Sequence, residues 1–233
     1  MRVPSPGEVQ VWQADVSAAD AHAYALLSPD EQARADRFRR APDRARFVAS
    51  HAALRHVLAR YVGIRPVDLR FGVAELGKPF LLALDGAPDL RFSLAHSGAL
   101  ALVAVAVGQE VGVDVEAERP LPDVLRLARR VAAPHEREAL AACDADEQRR
   151  AFFRLWVAKE AVLKARGTGL HADARQVLLS SLSEGAVGLR SAGAPGQWTL
   201  RTLDTFEGYH AALASGGAIR SVVRQTAPSA DTP

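Results

Sequence analysis

The stretch from residue 147 to residue 166 constrains the fold of this chain more than any other segment. Leu155, Ala158, Val162 and Ala165 recur at helical spacing and make one apolar stripe. The opposite face carries Phe153, Trp156, Glu160 and Lys164 and runs on to Gly167, half aromatic and half charged. A helix with apolar surface on both sides is expected to be largely buried. Buried Glu160 and Lys164 then need partners of their own. They stand four residues apart in the favourable order. Either they pair with each other, worth a few tenths of a kcal/mol, or they serve a site with glutamate as metal ligand or base and lysine on a phosphate.

Around this helix the predicted elements run twice through one order. A weakly alternating strand at 8–16 leads to a helix opened by Ser28, with Pro29, Asp30 and Glu31 in its first turn. A long helix at 43–62 follows, with Phe47, Leu54, Val57, Leu58 and Tyr61 at helical spacing. Strands are predicted at 69–74, 80–84, 90–95 and 100–107, punctuated by Gly77, Pro79, Gly86, Pro88 and Ser97-Gly98. The second round starts with a strand at 111–116, then helices at 121–132, 134–142 and 147–166, then strands at 177–182, 188–190, 197–203 and 209–214. This order predicts an α+β fold of two similar halves, 1–109 and 110–225, with a polar, disordered tail at 226–233. No sequence identity links the halves; the expectation rests on order alone.

Composition narrows the function classes. A hydrophobic content of 48% with 24% charged residues is that of a soluble domain, and no apolar run approaches the roughly 20 residues a membrane span needs. The N-terminus lacks the apolar stretch of a signal peptide, so a cytoplasmic location is expected. The single cysteine, Cys143, excludes an internal disulfide and a cysteine-based metal site. A net charge of +2 favours anionic ligands or acidic partners. With no run of five basic residues and 6% aromatics, nucleic acid is not the expected partner.

Four further features bear on chemistry. In Val111-Gly112-Val113-Asp114-Val115-Glu116, alternation puts Asp114 and Glu116 on one strand face. They are either a solvated surface near a turn or hard oxygen ligands at a spacing that suits Mg2+. Gly167-Thr168-Gly169 is either a helix C-cap or a loop that lets backbone approach a ligand. In Phe92-Ser93-Leu94-Ala95-His96-Ser97-Gly98, His96 sits at a strand end before a turn, exposed and structural or part of a site. Arg34, Arg37, Arg39, Arg40, Arg44 and Arg46 form either a solvated helix face or a phosphate-binding collar.

The lysines bear on these readings without deciding among them. Of 29 lysines and arginines, three are lysine: Lys78, in Gly77-Lys78-Pro79, and Lys159 and Lys164, in the long helix. An ammonium is a compact point charge and a guanidinium a wide planar fork. Lysines that persist where arginine is the default point to phosphate or proton chemistry, with chance retention as the plain alternative.

Taken in order, Gly77-Lys78-Pro79, the segment 92–98, Gly112-Val113-Asp114-Val115-Glu116, and Phe153-x-x-Trp156-x-x-Lys159-Glu160-Ala161-x-x-Lys164-x-x-Gly167-x-Gly169-Leu170 resemble the Sfp-type 4'-phosphopantetheinyl transferases. The resemblance covers residues 28–209, most of the chain. It implies two pseudo-symmetric α+β halves with coenzyme A in the active-site cleft between them, on a pseudo-dimeric monomer. The implied reaction moves 4'-phosphopantetheine from coenzyme A to a serine of an acyl carrier, peptidyl carrier or polyketide synthase carrier domain, in secondary metabolism, and releases adenosine 3',5'-bisphosphate. By motif position, Asp114, Glu116 and Glu160 would hold Mg2+ on the pyrophosphate. Glu160, directly or through a water, would be the base, and Lys164 would neutralise the leaving phosphate. Lys78 and His96 would contact the adenosine phosphates with N-terminal arginines, Arg34 and Arg46 among them. The competing expectations are another coenzyme A-dependent transferase, which needs no metal, and a non-catalytic nucleotide- or partner-binding module in which the carboxylates form a structural ion network.

Overall fold

The first strand, β1 (Glu8–Asp15), lies inside a four-stranded sheet. On one side it pairs antiparallel with β5 (Leu100–Val107), which pairs in turn with β4 (Leu90–Ser97). On the other it pairs parallel with the last strand, β11 (Ser221–Thr226). The computed structural model describes residues 1–83, 85–169, 172–185, 187–203 and 206–228. Contacts divide the chain into two compact units. One comprises Met1–Ala74, Pro79–Gly108 and the chain from Arg220 on; the other comprises Glu75–Lys78 and Gln109–Ile219.

In the first unit, helices α1 (Ala21–Ala25), α2 (Pro29–Ala35) and α3 (Ala41–Val62) accompany the sheet, with a short ladder of β2 (Phe71–Val73) and β3 (Pro79–Leu81). Leu54, Val57, Leu58 and Tyr61 of α3 pack with Trp12, Leu90, Phe92, Val103 and Val105 of the sheet. Burial of this kind supplies roughly 25 cal/mol per Å2 of apolar surface, so the helix face is chosen by its sheet. Trp12 Nε1 donates to the Tyr61 hydroxyl at 2.8 Å, and that hydroxyl donates to Gln10 Oε1, leaving the buried polar groups satisfied. Ser28 and Glu31 form the reciprocal capping box that opens α2. The Glu31 carboxylate also takes the buried Arg55 guanidinium at 2.6 Å, which binds α2 to α3.

In the second unit, β6 (Val111–Ala117), β10 (Tyr209–Ser215) and β9 (Thr199–Thr202) form an antiparallel sheet in that order. Helices α4 (Val124–Val131) and α5 (Pro134–Ala141) precede α6 (Ala145–Arg166), which packs across all three strands. Strands β7 (Leu178–Ser181) and β8 (Gly188–Ser191) make a separate ladder. Leu155, Ala158, Val162 and Ala165 all lie in this unit's core, as their spacing requires, and Phe153 on the other face is 2% exposed.

Several expectations change. Residues 220–225, expected in the second half, belong with the first sheet, because β11 hydrogen-bonds beside β1. That strand is an edge strand of mixed polarity, Ser-Val-Val-Arg-Gln-Thr, and carries no clean alternation to reveal it. Lys78, expected in the first half, groups with the second unit. The strands after each long helix are split between the larger sheets and two-stranded ladders. The expected tail at 226–233 begins inside β11, whose last residue is Thr226; Leu84, Leu170 and residues 229–233, on which a strand end, a motif end and the last five residues of that tail fall, lie outside the described residues.

Candidate active site

Gly112 is where strand and helix meet. A Cβ built there would lie 2.1 Å from Ala161 O and 2.3 Å from Ala165 N, so only glycine lets β6 rest on the backbone of α6. Residues two and four further along a strand share its face, so Asp114 and Glu116 are carried toward α6 as well. Asp114 is 7% exposed, which removes the reading of a solvated strand surface. Lys164 reaches across from the helix, its Nζ 2.7 Å from Asp114 Oδ1. The other oxygen, Oδ2, is buried and has no hydrogen-bond partner.

The electrostatics follow from that placement. Burial pushes the Asp114 carboxyl above the ordinary carboxylate range; Lys164 opposes this, and the charge of Glu116 adds to it. Glu160, half-buried one turn before Lys164, is also pushed up, first by burial and then by the negative charges of Asp114 and Glu116, again against Lys164. Three carboxylates thus feel one another around one ammonium. Glu116 has a further cation in Arg119, 3.1 Å away.

Hard oxygen donors in mutual repulsion, with one buried oxygen unpartnered, are a donor set that fits a divalent cation such as Mg2+. Among the described residues, no three histidine, cysteine, aspartate or glutamate side chains are already grouped so as to hold a metal.

The other two lysines do different work. Lys159, beside Glu160 in sequence, points the other way and is fully buried. Its ammonium lies 2.7 Å from Glu136 Oε2 and donates to Ala174 O at 3.1 Å and Val177 O at 2.6 Å. Burial lowers its pKa, against the pull of Glu136. Lys78 donates to Glu110 Oε2 at 2.6 Å, Ala165 O at 3.0 Å and Val111 O at 3.2 Å. Persistence as lysine therefore does not by itself mark phosphate chemistry.

The remaining predicted contacts lie in the first unit. Arg34 is exposed, its guanidinium 5.2 Å over the Phe47 ring; Arg46 is half-buried and paired with Asp43; His96 is exposed near the end of β4. His51 stacks on Phe47, and its pKa is pushed down to about 4, chiefly by burial, with Arg34 and His96 contributing. Sequence reasoning passed over His51, Glu110 and Glu136. Only Glu136 had a local signal, standing three residues after Ala133 where a helix opens at Pro134; its carboxylate caps Ala133 N at 2.6 Å.

Carboxylates gathered around one ammonium, on a strand backed closely by a helix, are an arrangement able to position and neutralise a phosphate group. Residues 110–214 match the family model of the 4'-phosphopantetheinyl transferase superfamily, and residues 10–108 match that of the 4'-phosphopantetheinyl transferase N-terminal region. The 4'-phosphopantetheinyl transferase HetI of Nostoc is 38% identical over 166 residues, covering 70% of each chain. The 4'-phosphopantetheinyl transferase Sfp of Bacillus subtilis is 29% identical over 188 residues, 81% of each chain. Another Bacillus subtilis 4'-phosphopantetheinyl transferase is 30% identical over 189 residues, 81% of this chain and 82% of that one. The chain belongs to the 4'-phosphopantetheinyl transferase family and is an enzyme of that class.

Proposed function

We propose that this enzyme transfers 4'-phosphopantetheine from coenzyme A to a serine of a carrier domain, with Mg2+ and with adenosine 3',5'-bisphosphate as the second product. The observation that carries the reading is the Asp114–Lys164 pair at 2.7 Å with Asp114 Oδ2 left buried and unpartnered beside Glu160. Asp114, Glu116 and Glu160 would hold the cation, which when bound supplies charge neutralisation at the pyrophosphate.

The serine oxygen attacks the phosphorus that bears the pantetheine arm, and the bond from that phosphorus to the oxygen bridging to the adenosine side breaks. Glu160, its proton affinity raised by burial and by Asp114, takes the hydroxyl proton directly or through a water. Lys164 balances the negative charge that accumulates on the departing phosphate. Arg34, Arg46 and His96 are proposed for the adenosine phosphates. For the carrier partner, the outer face of α4 suits an acidic helix. Arg126, Arg129 and Arg130 are exposed there beside Leu125 and make no ion pair among the described residues.

No helix among the described residues is long and apolar enough to cross a membrane. Action as a single chain in the cytoplasm on acyl, peptidyl or polyketide carrier domains is part of the same proposal. Incubating apo carrier domains with coenzyme A and Mg2+ and weighing them by mass spectrometry tests it. A phosphopantetheine mass increment that disappears with EDTA and in Asp114→Ala is expected. No increment on any carrier class, or full transfer in EDTA, overturns it.

A further inference from the structure

The last carbonyls of a helix have no partner within it, and an unsatisfied one near its end needs a donor from elsewhere. At the end of α6, Gly167 N and Thr168 N bond the carbonyls of Leu163 and Lys164. Ala165 O instead receives the Lys78 ammonium at 3.0 Å. The same ammonium takes Val111 O at 3.2 Å, where β6 begins, and Glu110 Oε2 at 2.6 Å. Lysine offers three N–H donors that point in different directions, and here three acceptors receive them. The Lys78 stem lies over Gly167, where a Cβ would come within 3.2 Å of Lys78 Cδ, so the close fit extends to the aliphatic chain.

These contacts bracket the Asp114–Lys164 pair. Ala165 follows Lys164 directly, Val111 precedes Asp114 by three residues, and Gly112 between them lets the two backbones touch. We infer that Lys78 is a positioning residue: it staples the start of β6 to the last turn of α6 and so sets the Asp114–Lys164 geometry, rather than binding a coenzyme phosphate. Arginine does not substitute, because its planar fork cannot aim at three divergent acceptors over Gly167. The inference rests on the transfer reaction proposed above.

Coenzyme A and 3'-dephospho-coenzyme A separate the two roles. Lys78→Met is measured with both for Kd by calorimetry and for kcat with a carrier domain, alongside the melting temperature. A positioning role predicts that kcat falls about tenfold or more with either coenzyme while both Kd values stay within about threefold of wild type. Lys78→Arg should show the same split, and Glu110→Gln, which leaves both carbonyl bonds in place, a smaller fall in kcat.

A Kd for coenzyme A raised tenfold, with 3'-dephospho-coenzyme A binding untouched and kcat retained at saturation, makes Lys78 a phosphate ligand and overturns the inference. Unchanged kcat and Kd overturn it as well. Should Lys78→Met not fold, Glu110→Gln decides: reduced kcat at unchanged Kd supports the staple, and wild-type kinetics refute it. A wild-type enzyme that adds no mass to any carrier sinks the transferase reading itself, and the inference with it. An active wild type with an indifferent Lys78→Met sinks the inference alone.

Discussion

Lys159 and Glu136 face each other at 2.7 Å with side chains 0% and 1% exposed, and every polar atom of the pair has a partner. Glu136 Oε1 accepts from Leu179 N at 2.8 Å, and Oε2 accepts from Ala133 N at 2.6 Å. The lysine holds the carbonyls of Ala174 and Val177. One ion pair thus joins α5, α6 and the chain entering β7, directly behind Glu160.

Removing one member of such a pair leaves a buried charge unpaired. Lys159→Met should cost about 3–5 kcal/mol of unfolding free energy, read from urea denaturation. The double variant Lys159→Met with Glu136→Gln, which removes both charges and keeps an acceptor, should recover part of the loss. A single variant with wild-type stability would show that the pair contributes nothing.

Gly112→Ala tests the contact between β6 and α6. Its Cβ would lie 2.1 Å from a backbone oxygen and 2.3 Å from a backbone nitrogen, neither of which can rotate away. Overpacking of this kind costs typically 1–3 kcal/mol. Turnover should fall further than stability, because Asp114 moves off Lys164. Normal kinetics in a folded Gly112→Ala enzyme would remove the close approach from the account.

Lys164→Arg asks whether a positive charge is enough. Lys164 is 30% exposed and Asp114 10% in their side chains, so a wider guanidinium has little room between helix and strand. A fall in kcat of about tenfold or more is expected in steady-state assays with saturating coenzyme A and carrier. Turnover equal to wild type would reduce Lys164 to a charge alone.

Glu160 should be detectable in the pH dependence of the metal-free protein. Its folded pKa is raised above the ordinary 4.5, so its stabilising contribution is fully present below the unfolded value and is lost as pH rises through the folded one. In EDTA, Glu160→Gln should match wild type near pH 4 and melt about 2–4 °C higher near pH 8, while its transfer activity with Mg2+ supplied is severely reduced. Equal melting curves at both pH values would mean that the carboxylate is not held in a repulsive cluster.

Two arginine surfaces are candidates for steering an acidic carrier: the segment 34–46 in the first unit, and Arg126, Arg129 and Arg130 on α4. Exposed charges attract over a Debye length of about 8 Å at physiological ionic strength, so KM for the carrier should rise with salt more steeply than KM for coenzyme A. Charge reversal of the α4 arginines should raise the carrier KM about tenfold or more and leave the coenzyme KM near wild type. A carrier KM that is flat or falls with added salt would place recognition on apolar contacts instead.

Side-chain pattern and turn residues together located β1, β5, β6, α3, α5, α6 and β10 to within a few residues, because a buried stripe, an alternating face or a turn must appear in the order of side chains. The Ser28 cap was equally legible, since its hydrogen bonds are local. The sequence by itself also put Asp114 and Glu116 on one strand face and Glu160 and Lys164 on one helix face. It could not pair those faces. Which lysine meets which carboxylate depends on residues as distant as Asp114 and Lys164, Glu136 and Lys159, or Glu110 and Lys78. Lys159 and Lys164 differ by little more than one helical turn, yet one is walled in against Glu136 and the other meets Asp114 on β6. Likewise β11 joins β1 through backbone hydrogen bonds, which no side-chain pattern records. Tertiary packing decided these matters, because a charge's role follows from what is packed around it, and that neighbourhood is assembled only when strand and helix touch.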